Sequence, residues 1–141
     1  MEQRRLAMGV ALVGVLGLVA VPAAIVVHRR LQLNKVLADV DDLRRAELHH
    51  RDTFGDFVAA DPAPRPPYAV DATSVPWRSN EGFTRLGWRP LYPEVHATYR
   101  VTLTAKGFVA SAACDLDGDG ERARVEATES SAATWLTRGV R

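Results

Sequence analysis

The sequence predicts an α+β fold in which a long N-terminal helix packs on a small antiparallel β-sheet. Three observations predict it. Residues 6–27, LAMGVALVGVLGLVAVPAAIVV, contain no charged residue. After them, apolar residues recur at helical steps, and neither Gly nor Pro interrupts residues 23–54. Residues 95–138 then read as short alternating segments separated by glycine turns. The chain divides accordingly into a transmembrane helix half (1–30), an amphipathic helix half (31–58), a loop rich in proline and aromatics (59–94), and the sheet with an acidic loop (95–141).

The helix comes first. At 1.5 Å per residue the uncharged run spans roughly 33 Å, enough for a hydrocarbon core of about 30 Å. Arg4 and Arg5 precede it, and His28, Arg29 and Arg30 follow it. With basic residues at both ends, the positive-inside rule does not orient the span. The alternative is a cleaved signal peptide, with MEQRR as its basic start, 6–20 as its apolar core and a cut near Val21-Pro22-Ala23. The run continues through Val27 and helical sequence follows directly, which favours an uncleaved anchor. Pro22 removes a backbone donor and crowds the preceding turn, so a kink is expected there.

From Leu31 the pattern becomes one-sided. Leu33, Val36, Leu37, Val40 and Leu43 form a stripe, with Lys35, Asp39, Asp41, Asp42, Arg44 and Arg45 on the other faces. Asp41 and Arg45 form an i,i+4 pair. His49 and His50 are adjacent, so they face different ways, and they read as solvated helix side chains. Gly55 suits the helix C-terminus.

Seven of the eight prolines fall at 62, 64, 66, 67, 76, 90 and 93. The DPAPRPP stretch is therefore expected to run extended on the surface. Tyr68, Trp77, Phe83, Trp88 and Tyr92 are interleaved, which implies that this loop packs on a core. Asn80-Glu81-Gly82 and Gly87-Trp88-Arg89-Pro90 read as turns. Residues 95–104 form a strand with Val95, Ala97, Tyr99, Val101 and Leu103 on one face. Residues 108–114, 121–128 and 133–138 supply three more, and short turns between consecutive strands make the sheet antiparallel. The amphipathic helix half is the element available to cover one of its faces.

Composition narrows the function. At 141 residues the chain holds one modest domain and an appendage, and a net charge of +1 excludes a dedicated nucleic-acid binder. The single cysteine, Cys114, permits no internal disulfide and reads as a small buried residue. There is no Ser-His-Asp order, nucleophile elbow or phosphate-cradling glycine loop, so no enzyme is expected. Trp77, Trp88 and Trp135 are assigned to packing in preference to a ligand platform.

The stretch DLDGDGE, residues 115–121, is the most chemically distinctive. It places four carboxylates on a loop with two glycines. Asp115, Asp117, Asp119, Gly120 and Glu126 satisfy the calcium-loop pattern, with the Glu121 carbonyl as a further ligand and Glu126 closing the shell. Hard oxygen donors suit Ca²⁺ over zinc. The flanks read as strands, and Arg122 stands where a helical hand has an aliphatic residue. A strand–loop–strand calcium site, in which Glu126 is free to point elsewhere, is therefore favoured over a helical hand and weighed against a plain polar hairpin turn.

The helix GVLGLVAVPAAIVVHRRLQLNKVLADVDDLRRAELHHRDTFGDF, followed by FTRLGWRP, VHATYRVTL and GFVASAACDLDGDG, resembles the type IV pilins and pseudopilins. Gly14 and Pro22 have the spacing of that family's helix glycine and proline. Two features depart from the family: Met1 stands where the processed chain would begin, and Arg5 stands at the position of its assembly glutamate. The resemblance implies a non-enzymatic, membrane-anchored subunit, structural or accessory, of a pilus or secretion filament. Its head would lie outside the inner membrane. Its partners would be related subunits packed through the apolar helix, where Gly9, Gly14, Gly17 and Pro22 shape the contact. The alternative function is a secreted or periplasmic calcium-binding module released from a signal peptide near Ala24.

Overall fold

The computed structural model describes residues 2–138, with side chains from residue 23 onward. Helix α1 runs Glu2–Phe54. The chain forms two compact units, Met1–Leu33 and Asn34–Arg141. In the first, Ile25, Val26, Val27 and Leu31 are all exposed. Among the described residues no helix is long and apolar enough to cross a membrane. Most of the 6–27 run lies outside the residues with described side chains, as do Gly9, Gly14, Gly17, Pro22 and the kink expected at Pro22.

The second unit is built on a five-stranded antiparallel sheet in the order β1-β4-β5-β6-β7. Its strands are β1 (Ala60–Ala63), β4 (Thr98–Thr104), β5 (Gly107–Cys114), β6 (Ala123–Thr128) and β7 (Thr134–Thr137). A separate ribbon pairs β2 (Val75–Pro76) with β3 (Glu94–Val95). The four consecutive hairpin strands follow the alternation read from residues 95–138. Tyr99, Val101, Phe108, Ala110, Ala112, Cys114, Ala123, Val125 and Ala127 are buried on one face. Leu103, expected on that face, is 46% exposed at the hairpin end of β4.

The amphipathic half of α1 covers this face with Val36, Val40 and Leu43, each at most 4% exposed. Polar bonds fix its position. Arg44 donates from Nε to the Thr128 carbonyl at 2.6 Å and from a terminal nitrogen to the Glu129 carbonyl at 2.8 Å. Arg51 pairs with Glu129. The helix ends as its sequence required: Gly55 takes φ +88° and its N–H returns to the Arg51 carbonyl at 2.7 Å.

Two expectations for residues 59–94 need correction. The proline-rich stretch contributes a strand: Ala60 lies opposite Val101 and Ala63 opposite Tyr99, with a register shift between them. Pro62 is tolerated there because β1 is an edge strand and its ladder is irregular at that point. The turn expected at 80–82 is instead the start of helix α2 (Glu81–Leu86). Asn80 caps it, accepting the Phe83 N–H at 3.1 Å, and Gly87 closes it in the left-handed region. Gly82 reads as a breaker but serves proximity, since a Cβ there would lie 2.6 Å from Ala60 Cα. Only glycine lets α2 approach β1 so closely.

The loop aromatics pack as expected, with two exceptions. Trp77, Phe83 and Trp88 gather on Tyr99, with ring centroids 5.2–6.1 Å apart. Tyr68 is 82% exposed. Tyr92 is exposed as well, and the Lys35 ammonium lies 4.2 Å from its ring centre.

Candidate functional site

The acidic loop joins β5 to β6. Gly118 and Gly120 both take positive φ, +72° and +87°. Those two residues give the tight path that lets alternate side chains converge. Asp115 is buried at the base and organises the turn. Its Oδ1 accepts the Gly118 N–H and its Oδ2 the Gly120 N–H, each at 3.0 Å. Asp119 Oδ1 accepts the Glu121 N–H at 2.7 Å. Arg122 reaches away from the loop to donate to the Tyr68 carbonyl at 3.2 Å.

Asp115, Asp117 and Asp119 each bring one oxygen within 4.8 Å of the others, at graded depth: buried, half-buried and exposed. Oxygens bound about 2.4 Å from a shared ion stand at most about 4.8 Å apart, so the three aspartates meet the spacing that one shared hard cation requires. A full calcium shell needs about six to eight oxygens. Of the other two expected ligands, the Glu126 carboxylate is not gathered in. Glu121 is exposed, with its N–H given to Asp119. Glu126 lies in β6 opposite Ser111, and its carboxylate is 3.5 Å from Arg124. Arg124 and Glu126 occupy alternate positions of one strand, on the face opposite Ala123, Val125 and Ala127. The three-aspartate set therefore leaves at least half of a calcium shell to water or to other oxygens.

Cys114 is fully buried at the end of β5, and burial, aided by Asp115 and Asp117, pushes its thiol up to about 12. It is held as a neutral packing group, as its placement in the sequence suggested.

A second set of polar groups was not anticipated. Asp39 is buried on α1, accepting the Tyr99 hydroxyl at 2.7 Å and the Leu91 N–H at 3.2 Å. Burial raises its carboxyl above the usual range, against the lowering effect of those two bonds. Burial, together with the Asp39 charge, raises the Tyr99 hydroxyl well above its ordinary value. Glu47 and His50 occupy the next two core positions of the same helix stripe. His50 corrects the expectation of a solvated pair: it is 6% exposed and its ring lies 4.6 Å from Phe54, whereas His49 faces solvent. The available signal was the spacing 36-40-43-47-50, which puts both residues on the apolar face.

An open groove of about 800 Å³ runs beside α1, lined by Leu37, Ala38, Pro90, Leu91 and neighbouring charged groups. Of its three acids, Asp39 is engaged by Tyr99 and Leu91, Asp41 by Arg45 at 2.6 Å, and exposed Asp42 lies 3.9 Å from Arg45. Trp77 and Trp88 belong to the core aromatic cluster, and Trp135 lies apart from them, opposite Val125 in β7. No family model, curated protein or solved structure matches the chain.

Proposed function

We propose that the chain is a non-enzymatic, membrane-anchored, type IV pilin-like subunit, structural or accessory, of a pilus or a type II secretion-type filament. One observation carries this reading. The amphipathic half of α1 is seated on an antiparallel sheet, and the same helix is continuous in sequence with an uncharged run of 22 residues. A head that uses one face of such a helix leaves the remainder for neighbouring helices or lipid. In this reading Gly9, Gly14 and Gly17 permit close helix approach, and the head stands outside the inner membrane. The acidic loop takes Ca²⁺ weakly and stiffens the β5–β6 turn, as an extracytoplasmic module would. Arg5, at the position of the family's assembly glutamate, favours an accessory place over that of a major subunit.

The exposed apolar residues just past the alternative cleavage point also support the anchor. A chain released near Ala24 would start with Ile25, Val26 and Val27, which are 47–57% exposed. Such a start costs solubility without serving the fold. The test is the intact mass and N-terminal sequence of the native protein, taken from both detergent-extracted membranes and the soluble fraction. An anchored chain retaining residues 6–27, whose deletion impairs a pilus or secretion filament, is the expected result. A soluble protein beginning near Ala24 would overturn the proposal and leave the calcium-binding module in its place.

A further inference from the structure

The buried stripe of α1 does not stay apolar to its end. Val36, Val40 and Leu43 are followed by Glu47, 0% exposed, and His50, 6% exposed. Glu47 Oε2 accepts the Val58 N–H at 3.0 Å, while Oε1 has no hydrogen-bond partner among the described residues. Three charged or titratable groups act on this carboxyl: His50 on α1 itself, Asp56 just beyond it, and Arg85 on α2. His50 Nδ1 lies 2.9 Å from the Asp56 carbonyl oxygen and 3.3 Å from its carboxylate. Arg85 donates to the other Asp56 oxygen at 2.9 Å. The segment they hold is short. It leaves α1 through the left-handed Gly55 and enters β1 at Ala60.

A buried carboxylate with one oxygen unanswered is costly as an anion and much less so as a neutral acid. As the acid, its carbonyl oxygen still accepts the Val58 N–H. We propose that Glu47 is a proton-operated latch on the turn joining α1 to β1: protonated, it holds Val58 closed against the helix, and ionised, it lets residues 55–59 open. Burial pushes its carboxyl up to about 7, from an ordinary 4.5, against the lowering pull of the Val58 N–H and His50. In the open segment the carboxyl regains water and its ordinary value. The proton therefore binds the closed form more tightly. The latch is fully tight below pH 4.5, loosens as pH rises from there through about 7, and loosens no further above that. A shift of this size allows the opening constant to grow by up to about 300-fold. All the groups involved lie within Asn34–Arg141, so the inference does not rest on the membrane reading.

The experiment follows exchange of the Val58 amide by NMR in the full-length protein, native and Glu47→Gln, from pH 4.5 to 8. Each rate is divided by the intrinsic rate at that pH. In the native protein, protection is expected to fall on the order of a hundredfold and to level off above pH 7, and in Glu47→Gln it should stay flat. Equal pH dependence in both proteins, or a flat native profile, would overturn the proposal. Should Glu47→Gln fail to fold, the side-chain carboxyl of Glu47 in the native protein is titrated by carbon NMR. A midpoint near neutrality supports the latch, and one below about 5 ends it.

Discussion

The loop at residues 115–121 and the core face of α1 both gather carboxylates, and they answer them in opposite ways. In the loop the donors are local: Asp115 takes two amides from within five residues, and Asp119 takes the amide two residues on. Beneath the helix the donors come from far along the chain. Asp39 is met by Tyr99, 60 residues away, and by Leu91, 52 away. Among the described residues Glu47 is met by Val58 alone, and only on one oxygen. The loop keeps much of its charge in water, where extra carboxylates cost little. The helix acids have given up that water, and burial pushes both carboxyls upward. The same residue type therefore shapes a turn in one place and makes stability respond to protons in the other.

The sharpest way to break this contrast is Glu47→Gln, which keeps the shape and removes the charge. The carboxyl's value is raised in the folded state, so the native protein is favoured below pH 4.5 and loses that advantage as pH rises through about 7. A shift from 4.5 to about 7 corresponds to a loss on the order of 3 kcal/mol at pH 8. Glu47→Gln should accordingly be more stable than the native protein by up to that amount at pH 8 and nearly equal to it at pH 4. Chemical denaturation of both full-length proteins at the two pH values decides the matter. The same difference at both would mean that packing, not the proton, is responsible.

Local and long-range satisfaction also separate what could be read in the sequence from what could not. The strands at 98–104, 107–114 and 123–128 were legible because alternation and Asp-Gly turns act between neighbours. The helix end was legible because Gly55 carries its own backbone preference. Strand β1 was not, because prolines at 62 and 64 argue against a strand unless one knows that the segment lies at an edge beside β4. Helix α2 was missed because Gly82 looks like a breaker, and its purpose appears only when Ala60 lies against it. Asp115, Asp117 and Asp119 were identified as one set by spacing alone, and the fold does bring them together. Glu126 matches a pattern that assumes a helix after the loop, and the strand read there instead carries its side chain elsewhere, the alternative that the strand–loop–strand reading left open. Glu47 and His50 showed helical spacing but the wrong chemistry for a core, a conflict that marks a site worth testing.

On the loop side, Asp115→Ala should cost about 1–3 kcal/mol, because it strips the acceptor from two amides at a buried position. Asp119→Ala, which frees one exposed amide, should cost less than half as much. Thermal melts without added metal and with a chelator present measure both. Equal costs would mean that Asp115 does not organise the turn.

Calcium should add an amount in the lower half of the range given for Asp115. For a site with a dissociation constant near 10⁻³ M, about 10 mM Ca²⁺ stabilises by roughly 1.4 kcal/mol. Asp117→Asn should abolish that gain while leaving the metal-free melt nearly unchanged. An equal rise with Mg²⁺, or none with Ca²⁺, would reduce the loop to a turn held by its own amides.

Glu126→Gln is expected to have the smallest effect, and it discriminates most cleanly between the two descriptions of the loop. Its carboxylate pairs with Arg124 at 3.5 Å on the open face of the sheet, with Arg124 exposed and Glu126 half-buried. Such pairs contribute no more than about 1 kcal/mol, and less in high salt. The calcium response should survive the substitution unchanged, since Asp115, Asp117 and Asp119 hold their oxygens together without Glu126. If Glu126→Gln instead removed the response, the strand after the loop would have to turn its side chain inward when metal binds. That would require β6 to give up its pairing at Ser111 and Thr134, and amide exchange at those positions would rise with added calcium.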